Sequence, residues 1–147
     1  MNEVQRIADQ LHRSYYGEAW HGPALQELLK DVTPQQAARR TIPGAHTIRE
    51  IVSHSAAWES AASASLSGAA MPALPWKGDW PESAASWKDA QSALSCSTDE
   101  LESQIRKLPA ARLSEVVPGR KYSIYFLLHG VVQHNLYHAG QIALLKK

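Results

Sequence analysis

Apolar residues recur along the chain at three- and four-residue steps, with no repeated period-2 alternation bounded by hairpin turns, so the pattern predicts an all-α protein. The first helix is expected over Asn2 to Tyr16, where Val4, Ile7, Ala8, Leu11 and Tyr15 share a face until Gly17. Trp20-His21-Gly22-Pro23 reads as a turn, with Pro23 as the first residue of a short helix carrying Leu25, Leu28 and Leu29. Thr33-Pro34-Gln35-Gln36 is a capping box with proline at its first helical position, opening a second short helix that ends before Pro43-Gly44.

A second capping box, Thr47-Ile48-Arg49-Glu50, announces a long helix to about Leu66, stopped by Gly68. Its body is rich in Ala and Ser, small residues that let a neighbouring backbone come close. Met71-Pro72, Leu74-Pro75 and Gly78 mark a loop from Gly68 to Trp80, and Asp79 with Pro81-Glu82 reads as the next helix start. Trp87, Leu94, Leu101, Ile105 and Leu108 follow at helical intervals, which favours one continuous helix over a break at Ser95-Cys96-Ser97-Thr98. After a loop through Pro118-Gly119, the last helix runs from about Ser123 to the C-terminus. Four long helices around one core describe a four-helix bundle, with short extra helices between the first two long ones.

The length of 147 residues suits a single domain spanning 1–147. Fifteen basic and 14 acidic side chains leave a net charge of +1, which argues against nucleic acid as a partner. No stretch approaches the apolar run of about 20 residues that spans a bilayer, so no membrane partner is expected. Charges interrupt the first eleven residues before any signal-peptide core forms, and with a single cysteine, Cys96, a cytoplasmic protein is the expectation. Cys96 reads as a small buried or half-buried hydrophobe rather than a nucleophile.

The seven histidines carry the candidate chemistry. His134 and His138 stand one turn apart, about 40° from each other around the last helix, on the face that carries Leu127, Val131, Ile142 and Leu145. His54 shares the apolar side of its helix with Ile51, Trp58, Ala61 and Ala62. Three imidazoles thus point toward one interior. Neutral imidazole is a good ligand for zinc, nickel and iron, and three protein ligands leave positions open for water or substrate. Asn135 stands where a zincin would carry the glutamate of H-E-x-x-H, so zincin-type peptidase chemistry is not supported.

The segments Thr41-Ile-Pro-Gly-Ala-His-Thr-Ile-Arg-Glu-Ile-Val-Ser-His-Ser-Ala-Ala-Trp-Glu and Gly130-Val-Val-Gln-His-Asn-Leu-Tyr-His-Ala-Gly-Gln-Ile-Ala-Leu-Leu resemble the DinB/YfiT-like superfamily, as does Trp20-His-Gly-Pro-Ala-Leu. The resemblance covers essentially the whole chain. It implies an up-down-down-up four-helix bundle, often a homodimer, with a divalent metal on His54, His134 and His138, and Zn or Ni is the expected ion. Members are described as metal-dependent hydrolases, thiol-dependent S-transferases and thiol-dependent isomerases. The expected partners are therefore a small electrophilic substrate and a low-molecular-weight thiol or water. The second reading, from another class, is a noncatalytic stress-related binding protein whose metal only ties two helices together.

Several further residues carry alternative readings. Glu50 is the last member of its capping box or a carboxylate supporting a ligand histidine. Gly130 lies inside the last helix, where glycine costs roughly 1 kcal/mol relative to alanine; it admits a neighbouring helix or leaves room for a ligand. Trp58 walls the pocket or fills the core. Trp20 and His21 form the pocket mouth, or His21 caps a helix end. His46 is a loop or capping residue rather than a fourth ligand, while His12 and His129 sit off the triad face. Trp76 and Trp80 cover the bundle end, form a dimer contact or touch substrate. Tyr137 and Gln141 flank the triad as candidate hydrogen-bond partners of a ligand, and Gln141 joins Trp58, Gly130 and Trp20 as an expected substrate-pocket residue.

Overall fold

The computed structural model of the chain describes residues 1–82 and 86–147. Its helices are α1 (Glu3–Tyr16), α2 (Leu25–Leu29), α3 (Pro34–Ala38), α4 (Ile48–Leu66), α5 (Trp87–Lys107) and α6 (Ile124–Leu145), with a 3-10 turn at Ala110–Ser114. The described residues form no strand beyond an isolated bridge between Val116 and Ser123. The protein is all-helical, as the periodicity requires.

Local chemistry sets the helix starts. Asn2, Thr33, Thr47 and Ser123 each accept a hydrogen bond from a backbone N–H in the first turn of the helix that follows. At α4 the box is reciprocal: the Glu50 N–H donates to Thr47 Oγ1 at 3.1 Å, and the Thr47 N–H donates to Glu50 Oε2 at 2.7 Å. Gly68, at φ +104°, follows the α4 cap in a conformation that side chains rarely tolerate. The short helix α2 begins two residues after Pro23, with Ala24 at its cap and its N–H donating to Glu27 Oε2.

The helix start expected at Asp79 with Pro81 and Glu82 is not observed. These residues are irregular, 83–85 lie outside the described residues, and α5 begins at Trp87 with Ser86 as its cap. Asp79 fails to cap because its carboxylate is engaged elsewhere, on Trp58 and His54. Once begun, α5 runs without a break through Ser95–Thr98. Cys96 is exposed, against expectation: Leu94 and Leu101 define the buried stripe, and Cys96 lies about 200° from Leu94 around the helix.

The four long helices pack in a closed cycle, α1 against α5 and α6, and α4 against the same two. One core cluster joins Val4, Ile7 and Leu11 with Leu66, Leu101, Ile105, Ile124 and Leu128. A second joins Tyr15, Leu25, Leu29, Ile51, Val52, Leu94 and Ile142. The most extensive packing is α4 on α5, where α4 presents Ala56, Ala62, Ser63 and other small buried residues. No helix among the described residues is long and apolar enough to cross a membrane.

Candidate metal centre

The α4–α6 packing brings His54 against His134 and His138. His134 Nε2 lies 2.9 Å from His54 Nε2 and 3.1 Å from His138 Nε2. His54 and His138 are buried and His134 is half-buried. This is the cluster of potential ligand atoms found among the described residues, all within 4.8 Å of one another.

The outer nitrogens explain why the inner ones converge. His54 Nδ1 lies 2.5 Å from the Asp79 carbonyl oxygen and 3.3 Å from Asp79 Oδ1, and His138 Nδ1 lies 2.6 Å from Gln141 Oε1. Those oxygens have no hydrogen to give, so both rings hold their proton on Nδ1 and turn a bare Nε2 lone pair inward. A single N–H on His134 Nε2 can satisfy only one of them. The donor set therefore leaves at least one inward lone pair unmet, which is what a divalent cation requires. Burial pushes all three imidazoles below their ordinary pKa, His134 to about 3 with further help from the neighbouring rings. Neutral imidazole is the ligating form, so a centre of this kind needs no deprotonation near neutral pH.

Beside the triad lies a cavity of about 390 Å³ lined by His54, His134, Asp79 and a larger set of apolar side chains that includes Trp58, Leu127 and Val131. Gly130 opens onto it: a Cβ built there meets nothing within 4 Å. Of the two readings of this glycine, close approach of another helix is the one the geometry removes. A family model of the DinB superfamily matches residues 19–142, a span that holds all three histidines and the cavity wall from Trp58 to Val131. The chain belongs to the DinB superfamily. No curated protein and no solved structure matches it.

In this DinB-superfamily protein, Trp58 does two things. Its Nε1–H donates to Asp79 Oδ1 at 2.8 Å, and its ring meets Trp76 edge-on at 5.1 Å. Gly78 lets Trp76 fold back over the loop, since a Cβ there would lie 2.2 Å from Trp76 Cζ2. Gln141 lines a second cavity, about 360 Å³, with His46, Trp80, Tyr137 and His138. Trp20 and His21 are brought to neither cavity; Trp20 is 101% exposed and lines, with Arg13 and Leu136, a recess between α1 and α6.

Glu50 has both oxygens occupied away from the triad, Oε1 by Arg40 and Oε2 by the Thr47 N–H and His46 Nδ1. His46 stacks on Trp80 at 3.4 Å. His12 faces Glu102, and His129 faces Glu3.

Three residues support the triad in roles that the sequence reading did not assign. Asp79 anchors His54 from 25 positions away, a separation that leaves no local signal. Trp80 stacks on His54 with centroids 3.8 Å apart and planes at 9°. Glu59 is fully buried: its Oε2 accepts from Ser97 Oγ at 2.6 Å and Thr98 Oγ1 at 2.9 Å, and its Oε1 accepts from Asn135 Nδ2 at 2.9 Å. One carboxyl thus joins α4, α5 and α6 next to His134. Burial pushes its pKa up against those hydrogen bonds. A signal existed, since Glu59 is the one formally charged side chain between Glu50 and Leu66.

Proposed function

We propose that the protein is a metal-dependent enzyme in which His54, His134 and His138 hold a divalent ion, Zn or Ni, for attack by water or a low-molecular-weight thiol on a small electrophilic substrate. The single observation that carries this reading is the convergence of three Nε2 atoms, two with anchored Nδ1 partners, at the wall of an apolar cavity. Such an ion supplies Lewis acidity and acidifies a water or thiol that it binds.

The chain's own residues prepare for that chemistry. The Asp79 carbonyl and Gln141 Oε1 fix the tautomers of His54 and His138, so no proton has to leave either Nε2 before it ligates. Trp80 lies flat on His54 and limits its rotation. Trp58 occupies Asp79 Oδ1, which keeps that carboxylate directed at the His54 edge. The apolar wall from Trp58 to Val131 favours a ligand with little charge to desolvate.

The same proposal includes the up-down-down-up course of the long helices. Its support is the sorting of the core: the starts of α1 and α6 share a cluster with the ends of α4 and α5, while their ends share one with the starts of α4 and α5. A homodimer, for which sedimentation is the measurement, completes it.

The test is elemental analysis of protein purified without a nickel column. About one divalent ion per chain is expected, lost in His134→Ala; full occupancy in the variant lacking all three imidazoles refutes the centre. A purely structural tie between α4 and α6 is separated by cobalt substitution: a spectrum that shifts on adding a thiol supports an exchangeable, reactive position, and one that ignores both thiol and small anions supports the tie.

A further inference from the structure

We infer that the cavity beside His134 selects an uncharged aromatic molecule of one or two rings, and that Gly130 sets the size it accepts. The inference rests on the proposed reactive centre and names the substrate class that centre serves.

Three observations carry it. The lining is lopsided: Trp58, Met71, Tyr122, Phe126, Leu127 and Val131 make up the wall, and the polar groups His54, His134 and Asp79 complete it. Those polar groups are largely committed to one another, through Trp58 Nε1 on Asp79 Oδ1, Asp79 on His54 Nδ1, and the contact between the two imidazoles. A ligand's reactive end can sit at the triad, while its far end meets chiefly carbon and ring faces.

Secondly, no lysine or arginine lines the cavity among the described residues, and its one formally charged side chain is an acid. A carboxylate on the far part of the ligand would lose its hydration with no cation to replace it, and would share the site with Asp79. The recess beside Trp20 makes the contrast, for it includes Arg13, Gln10 and Glu18. A thiol co-substrate bearing carboxylates therefore does not lodge its charged part in this cavity.

Thirdly, the helix interior is interrupted at the point where space is needed. Gly130 stands within the 22-residue α6, one turn before His134, and no neighbouring atom comes within 4 Å of where its Cβ would be. No close packing accounts for a residue that weakens a helix. The missing side chain is cavity volume. At about 390 Å³ the space lies near the lower end of ligand pockets, roughly 300–1,000 Å³, which suits one or two rings. Tyr122 and the exposed Phe126, with rings 5.1 Å apart, offer aromatic faces in the same wall.

The experiment is calorimetric titration of the protein as purified with methyl 2-naphthoate and with its 6-carboxylate, alongside metal analysis of the same samples. The uncharged ester should bind at least roughly tenfold tighter than the carboxylate, which carries its charge away from the ester group. Gly130→Leu should abolish ester binding while retaining the metal content and helical circular dichroism of the parent. Gly130→Ala, which favours the helix and fills less space, should weaken binding partially and keeps the test valid if the leucine variant does not fold. Equal or tighter binding of the carboxylate, no binding of either probe, or undiminished binding by a folded Gly130→Leu overturns the inference. Protein that binds the ester but carries no metal supports the cavity assignment while refuting the metal centre; metal without ester binding does the reverse.

Discussion

Glu59 offers a quantitative test of how the site is held, because its carboxyl ties α4 to both α5 and α6. In Glu59→Ala, three donors lose their acceptor, but not equally. Ser97 Oγ and Thr98 Oγ1 also lie 3.0 and 2.9 Å from the Leu94 carbonyl oxygen and can turn to it. The amide of Asn135, a residue with 0% exposure, has no such substitute among the described contacts. An orphaned buried donor costs about 1–3 kcal/mol, and the space left by the side chain adds about 1–2 kcal/mol. A loss near 3 kcal/mol corresponds to a fall in Tm of about 6–12 °C for a chain of this size.

Glu59→Gln isolates the charge. Asn135 Oδ1 is buried without a hydrogen-bond partner, so a glutamine Nε2 can donate to it once the asparagine amide turns over. The cost of that variant should stay below about 1 kcal/mol in acid. Because burial raises the Glu59 pKa, the folded protein holds this proton more tightly than the unfolded chain. Its stabilising effect is complete below the ordinary value of 4.5 and fades as pH rises through the folded value. Glutamine cannot ionise, so Glu59→Gln should gain on the parent as pH rises. Urea unfolding of the three proteins from about pH 5 to 8.5 measures both effects. A Glu59→Ala loss below about 1 kcal/mol refutes the network, and a parent-to-glutamine difference that is flat with pH refutes the raised pKa.

Other expectations are simpler to check. Gln141→Ala should weaken metal retention by roughly 10–100-fold in competition with a chelator, and Asp79→Ala by less, because the Asp79 backbone carbonyl remains on His54 Nδ1. Chelator-treated protein should lose stability as pH falls from 6.5 toward 3, since the depressed pKa of His134 makes the folded state the poorer proton binder there; His134→Ala should make that dependence shallower in thermal melts, leaving the share of His54 and His138. Gly78→Ala places a methyl against the Trp76 ring and should shift the loop, read as faster chelator extraction of the metal with the helical circular dichroism unchanged.

Sequence pattern located most of what is local. Thr33, Thr47 and Ser123 betray helix starts because a cap and its N–H partners lie within four residues, and His134 and His138 betray a shared face by their own spacing. What resisted reading depends on contacts between distant segments. Asp79 resembles a cap, yet its carboxylate is drawn to Trp58, 21 positions earlier, and the true cap is Ser86. Trp20 sits beside family-like residues but faces solvent, in a recess between α1 and α6 rather than at the triad. Gly130 was legible as an anomaly but not as a cause: only the empty space around it separates helix packing from ligand room.

The stacking of Trp80 on His54 has a practical consequence for the bench. An indole in van der Waals contact with a candidate ligand imidazole is a built-in optical probe, whose emission a paramagnetic ion at the triad would quench. Replacing Trp80 by phenylalanine supplies the background from the remaining indoles. Occupancy of the centre is then readable in unlabelled protein, ion by ion, before any substrate is known.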